Sequence, residues 1–149
     1  MRQEAYHKLH ELEETHWWYV GARATYRALL DTGFGGPGDN RLLLDVGCGS
    51  GGNFPLLSQY GATVGLESSA TALQLAPERP ACGLVQGDAE TLPLRSNSVD
   101  GVTLLGVIEH LERDDLALCE AARVCKPGGS VVLLTSACPI LWSHHDEAN

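Results

Sequence analysis

Arg41-Leu42-Leu43-Leu44-Asp45-Val46-Gly47-Cys48-Gly49-Ser50-Gly51-Gly52 is the stretch on which the fold turns. Leu42, Leu43, Leu44 and Val46 form a short apolar run, the pattern of a strand buried on both faces, and four glycines follow within six residues. A strand that feeds a glycine loop opening a helix is built to receive a ligand. Glycine tolerates positive φ and exposes bare backbone, while the helix start offers unpaired N–H groups and a positive dipole end. Gly47-x-Gly49-x-x-Gly52 fits a dinucleotide fingerprint, and Gly47-x-Gly49-x-Gly51 fits a tighter loop. Asp45 favours the second reading, because a carboxylate at the strand end attracts a cationic ligand and repels a phosphate.

Asp45-x-Gly47-x-Gly49-x-Gly51 resembles the first motif of class I S-adenosylmethionine-dependent methyltransferases. Their cofactor carries a sulfonium, an amino-acid tail and an adenosine, but no phosphate. Later segments continue the resemblance. Ala62-Thr63-Val64-Gly65-Leu66-Glu67 reads as a second strand ending in an acid, and Glu67 lies 20 residues beyond Gly47. That is about the separation at which a strand-end carboxylate meets ribose hydroxyls. Glu67 would equally serve as an acid leading the helix that Ser68 and Ser69 cap. Asp88-Ala89-Glu90-Thr91-Leu92-Pro93 resembles the family segment in which the acid accepts from the adenine amino group and the next N–H donates to the ring; a turn-forming Asp88 is the plain alternative.

Leu105-Gly106-Val107-Ile108-Glu109-His110-Leu111 resembles the family step beside the sulfonium, and Lys126-Pro127-Gly128-Gly129 its turn into a fifth strand. His16-Trp17-Trp18-Tyr19-Val20-Gly21-Ala22-Arg23 resembles an N-terminal signature of bacterial small-molecule methyltransferases, where it caps the cofactor cleft. Three adjacent large aromatics cannot all point inward from one helix, so at least one meets a pocket, a partner or a loop. The resemblance implies S-adenosyl-L-methionine as cofactor. It assigns contacts to Asp45, Gly47, Cys48, Gly49 and Gly51, to Glu67 and Ser68, to Asp88, Ala89 and Glu90, to Leu105, Gly106, Val107 and His110, and to Trp17 and Arg23.

The chain as a whole reads as α/β: a Rossmann-like, doubly wound parallel sheet of about five strands with helices on both faces. Residues 1–40 form a helical cap and a glycine-rich connector, and residues 41–149 the cofactor-binding domain. The cap has two helices, with Tyr6, Leu9, Leu12 and His16 on one face of the first and Trp18, Ala22, Tyr26 and Leu29 on one face of the second. Thr32 to Asn40 is the connector. Further helices are expected over 53–60, closed by Gly61, over 68–78, and after Leu111 with Leu118, Ala122 and Cys125 inward. Strands are expected over 83–88, 101–107 and 130–135, with Asp100 a structural acid at a strand start. Family members continue past the fifth strand with a helix and an antiparallel strand pair. Residues 137–149 enter that region and end, so the terminal antiparallel strands are expected to be missing and the uncovered sheet edge to favour a homodimer or other self-association.

At 149 residues the size is that of one domain, and ten Lys plus Arg against nineteen Asp plus Glu give a net charge of −9. No basic run favours nucleic acid, and no stretch approaches the ~18 apolar residues that span a membrane. A cytoplasmic protein with a small-molecule or carrier-bound substrate is expected. Cys48, Cys82, Cys119, Cys125 and Cys138 are odd in number and lack Cys-x-x-Cys spacing, so they read as reduced core thiols, with Cys48 chosen for smallness rather than reactivity. His144-His145-Asp146-Glu147 are adjacent residues that do not converge as ligands, and no metal is expected.

Methyl transfer needs chiefly a positioned acceptor. Where the acceptor must lose a proton, His110 and His145 are the candidate bases, His110 otherwise being a solvent-facing helix start. Two other functions fit parts of the pattern. A nicotinamide-dependent oxidoreductase would use Gly47-x-Gly49-x-x-Gly52 and Glu67 but leave Asp45 and Asp88 without a task, and a non-catalytic methyltransferase-like scaffold subunit would fit the absent strands.

Overall fold

The computed structural model describes residues 7, 10–76 and 81–135. After helical residues 10–12 and a long helix, α1 (Trp17–Phe34), the chain runs β1 (Leu42–Val46), α2 (Phe54–Leu57), β2 (Ala62–Glu67), α3 (Ala70–Leu75), β3 (Gly83–Gln86), β4 (Val99–Leu105), α4 (Asp114–Val124) and β5 (Cys125–Leu134). The strands form one sheet in the order β3-β2-β1-β4-β5, and every pairing is parallel. Parallel strands need crossover connections, and those helices cover both faces. Leu44, Val46, Leu66, Val102 and Leu104 pack with Ala117, Ala121 and Val124 of α4 on one face. Leu43, Leu105 and Val132 pack with Leu30 and Phe34 of α1 and Leu56 and Leu57 of α2 on the other. The doubly wound α/β class expected from the strand-and-helix alternation is the observed one.

Asp100 ties three strands together at the end of the sheet away from the glycine loop. Its Oδ2 accepts from the Leu42 N–H at 2.8 Å and its Oδ1 from Lys126 Nζ at 2.7 Å. The backbone donor first and the ammonium second hold its carboxyl below the usual range. The pairing skips from Val99 with Cys125 to Gly101 with Ser130, so Lys126 to Gly129 bulge opposite Asp100 instead of simply preceding the strand.

Several boundaries differ from expectation, each for a tertiary reason. α1 continues through Thr32, Gly33 and Phe34, because Phe34 is a buried anchor of the second core; the connector starts only at Gly35, a left-handed cap with φ 73°. Gly61 is not a left-handed cap: the short α2 ends at Ser58, and Gly61 is small because the Arg41 carbonyl passes where its Cβ would lie. β3 ends at Gln86 rather than at Asp88, α3 spans only Ala70–Leu75, and β4 ends at Leu105, where Gly106 turns with φ 74°. The inward face of α4 is Ala117, Ala121 and Val124, while Leu118 and Ala122 point outward; small residues let this helix lie close on the sheet. Leu12 and His16 are exposed and Glu13 between them is buried, the reverse of the expected face. Cys82 and Cys119 are exposed free thiols, so only Cys48 and Cys125 among the described cysteines fit the expectation of core thiols.

Gly101 in β4 faces the Phe34 ring and Leu43, and a methyl there would overlap the ring. Gly101→Ala is expected to cost about 1–3 kcal/mol in denaturant unfolding. Adding Phe34→Leu should recover part of that loss, as direct contact predicts; a fully additive double variant would refute the contact.

Candidate active site

The strand ends converge on one cleft of about 820 Å³, walled by the loops after β1, β2, β3 and β4 and roofed by the start of α1. Such a crevice at the carboxyl edge is where an open parallel sheet receives ligands. The glycine loop is fastened to the neighbouring strand: Gly47 and Cys48 N–H both donate to the Leu66 carbonyl, at 2.8 and 3.0 Å. Gly47 has φ 71° and Gly51 φ 81°, and a Cβ on either would strike Val107 or Phe54. These two positions therefore demand glycine twice over, by conformation and by space.

Glu67, at the end of β2, governs the loop. Its Oε2 accepts from Gly49 N–H at 3.1 Å, and its Oε1 from Ser69 N–H at 2.9 Å and Ser68 Oγ at 3.1 Å. One carboxylate thus joins the glycine loop to the N-terminus of α3, whose cap is Ser69. Asp88 folds its own turn, with Oδ1 accepting from Glu90 N–H at 2.9 Å. Both acids line the cleft, together with Gly47, Cys48, Gly49, Ser68, Ala89, Leu105, Gly106, Val107, His110, Trp17 and Arg23.

Three residues expected at the cofactor do not line the wall. Asp45 is 2% exposed beneath the loop, where Thr103 Oγ1 donates to its Oδ1 at 2.6 Å and its Oδ2 has no hydrogen-bond partner. Gly51 lies behind the loop against Phe54. Glu90 turns away, its Oε1 accepting from Arg113 N–H at 3.1 Å just before α4. His110 belongs to a 3-10 turn, Ile108–His110, rather than to an α-helix, and it is exposed at the cleft. His145 and the 144–147 run lie outside the described residues. Sequence reasoning missed Glu13, Tyr26 and Thr135, which also line the cleft, as does Glu109, the acid expected at the rim after the fourth strand. Thr135 Oγ1 donates to Glu109 Oε2 at 3.0 Å, joining the ends of β4 and β5.

Charge in the cleft is lopsided. Glu13, Glu67, Asp88 and Glu109 line it, and Arg23 is the only Lys or Arg among the described residues that do. Burial first, and repulsion from Glu67 as well, push the Asp45 carboxyl up to about 7 against the Thr103 hydrogen bond. Burial also pushes the Cys48 thiol up, with Asp45 and Glu67 adding to the effect, so this thiol is a packing group and not a nucleophile. Tyr26 is raised by burial, then by Glu109 and Asp45. A site of this composition favours a ligand that brings positive charge and hydroxyl donors.

The sequence matches the methyltransferase domain family over residues 44–133. The chain belongs to the methyltransferase domain family. It is similar to the demethylmenaquinone methyltransferase of Staphylococcus aureus, 38% identical over 85 residues, which are 54% of this chain and 35% of that protein. Its fold is that of a candidate S-adenosyl-L-methionine-dependent methyltransferase from Methanococcus maripaludis, with a TM-score of 0.75 at 20% identity over 90% of this chain and 64% of that one. An S-adenosylmethionine-dependent methyltransferase of Thermotoga maritima aligns with a TM-score of 0.62 at 25% identity, covering 86% of this chain and 60% of that one. The chain spans about a third of the length of the Staphylococcus relative it matches.

Within this methyltransferase domain, Asp45 makes a measurable contribution to pH dependence. Native Asp45 keeps its proton to about pH 7, whereas the ordinary carboxyl releases it near 3.8. Between those values the native state binds the extra proton, so this stability is present below about pH 4 and lost as pH rises through about 7. Unfolding of the wild type should lose about 2–4 kcal/mol relative to Asp45→Asn across that window. Parallel pH profiles of the two proteins would contradict the buried protonated acid.

Proposed function

We propose that the chain is an S-adenosylmethionine-dependent methyltransferase acting in the cytoplasm on a small-molecule or carrier-bound acceptor. The reading rests on one observation: Glu67 and Asp88, at the ends of adjacent parallel strands, face a single cleft beside a glycine loop that itself bonds to Glu67. Two carboxylates spaced along one wall suit the hydroxyls and amino group of an adenosine. The surplus of acids suits a cationic ligand, and Arg23 suits the carboxylate of an amino-acid tail.

When bound, the cofactor supplies a methyl group on a sulfonium, ready for displacement by an acceptor. The residues of the chain do the positioning. Glu67 takes the ribose hydroxyls, and Asp88 with the Ala89 N–H takes the adenine edge. Trp17, Trp18 and Tyr19 line the cleft, where rings of this size would exclude water from the reacting pair once the ligand is bound. His110, exposed at the cleft, would hold the proton of a hydroxyl or amine acceptor. The same composition disfavours a nicotinamide dinucleotide, because a pyrophosphate on the glycine loop would meet Glu13 and Glu67, with no Lys among the described residues that line the cleft.

Calorimetry with S-adenosylhomocysteine tests the reading. The wild type should bind it and give no heat with NADH, and Glu67→Ala should weaken binding by about tenfold or more, the worth of one charge-assisted pair. Tighter binding of NADH, or an unchanged affinity in Glu67→Ala, would overturn it.

A further inference from the structure

Tyr26 divides its side chain between core and cleft. It packs against the cluster that holds Leu105 and Val132, and it also lines the cleft. Tyr60, in the same cluster, commits its hydroxyl to a 2.7 Å bond to Asp31 Oδ1. No described residue bonds the hydroxyl of Tyr26. Burial first, then Glu109 and Asp45, push this group up, so at neutral pH it is a phenol able both to donate and to accept. None of the contacts expected of the cofactor uses it.

Helical spacing sets Tyr26 in line with Ala22 and Trp18 at intervals of four residues along α1, and all three line the cleft. The two aromatic residues stand two turns apart, roughly 12 Å along the helix axis. Between them a Cβ on Gly21 would meet nothing within 4 Å, so the notch that separates the rings is open. Trp18 is 57% exposed, although a ring of that size is ordinarily well covered. Leu30 and Phe34 anchor the other end of α1 on Leu43, Leu105 and Val132, which sets this face toward the β4–β5 side of the cleft. Glu67 and Asp88 follow β2 and β3, on the other side of β1. A nucleoside held by those two acids leaves the α1 face to the second substrate.

We propose, on the footing of the methyltransferase reading, that this face of α1 binds the acceptor, an uncharged aromatic ring bearing a hydroxyl or amine. The plane of the ring lies against Trp18, and its polar group meets the Tyr26 hydroxyl. A flat ring fits a notch between two aromatic side chains, and stacked or edge-on rings gain more than the area they bury. A single polar group among apolar walls then fixes orientation. Glu67, Asp88 and Glu109 on the cleft wall oppose an acceptor that carries its own carboxylate or phosphate.

Phenol, toluene and cyclohexanol separate the flat ring from the polar group, and each is titrated by saturation-transfer NMR into the full chain saturated with S-adenosylhomocysteine. Wild type should bind phenol at least about threefold more tightly than cyclohexanol. Tyr26→Phe should bind phenol about threefold or more weakly than wild type does, with its affinities for toluene and S-adenosylhomocysteine unchanged. Equal binding of phenol and cyclohexanol, an unchanged phenol affinity in Tyr26→Phe, or no binding of any of the three overturns the proposal. A second measurement on the unaltered protein is independent of how the variant folds: intermolecular NOEs should run from phenol to the Trp18 and Tyr26 rings, and NOEs to other residues alone would refute the assignment. No binding of S-adenosylhomocysteine by wild type overturns the functional reading instead.

Discussion

The Glu67 carboxylate is the constraint from which the site follows. By accepting from Gly49 N–H on one oxygen and from Ser69 N–H and Ser68 Oγ on the other, it fixes the glycine loop against the helix that follows β2. Buried backbone donors need partners, and here the partner is also the strand-end acid that faces the cleft. Without that acid the loop would lose its anchor and the cleft its central acceptor. The Leu66 carbonyl, which receives Gly47 and Cys48, completes the fastening of β1 to β2 at the rim.

A rim of carboxylates carries an electrostatic consequence. Asp45 lies beneath the loop, where burial first and repulsion from the nearby Glu67 after it push its carboxyl up to about 7. A cation brought to the cleft would offset that repulsion, while a phosphate would add to it. The proposed preference for a positively charged nucleoside would therefore come from the fold's own charge placement, before any contact with substrate. Arg23, alone among the Lys and Arg of the described cleft residues, is left for the anionic part of such a ligand.

Much of this was legible in the residues because it is local. Leu42 to Val46 followed by glycines announces a buried strand and its loop, and Glu67 sits at a telling offset from it, so the parallel sheet and that cleft acid could be read from pattern and spacing, while Asp88 was marked by the family resemblance of its segment. What could not be read is tertiary. Glu13 sits between Leu12 and Glu14 with nothing in periodicity to mark it, and its burial exists only because Gly52 leaves room 39 residues away. Likewise Asp45 follows from the strand pattern, but its retreat below the loop depends on Thr103 of β4, opposite it in the parallel register. Glu90 was lost to the cleft because Arg113 N–H, before α4, offered it a closer partner. The inward face of α4 was misplaced by one position because small alanines, rather than leucines, permit close approach to the sheet.

A crystal structure of the protein with S-adenosylhomocysteine tests the central claim, that acids at the rim select a cationic nucleoside, most directly. The account predicts ribose hydroxyls on Glu67, the adenine edge at Asp88 and Ala89, and the amino-acid tail between the glycine loop and the start of α1. A ligand bound away from Glu67 and Asp88, or a dinucleotide seated with its pyrophosphate on residues 47–52, would contradict it.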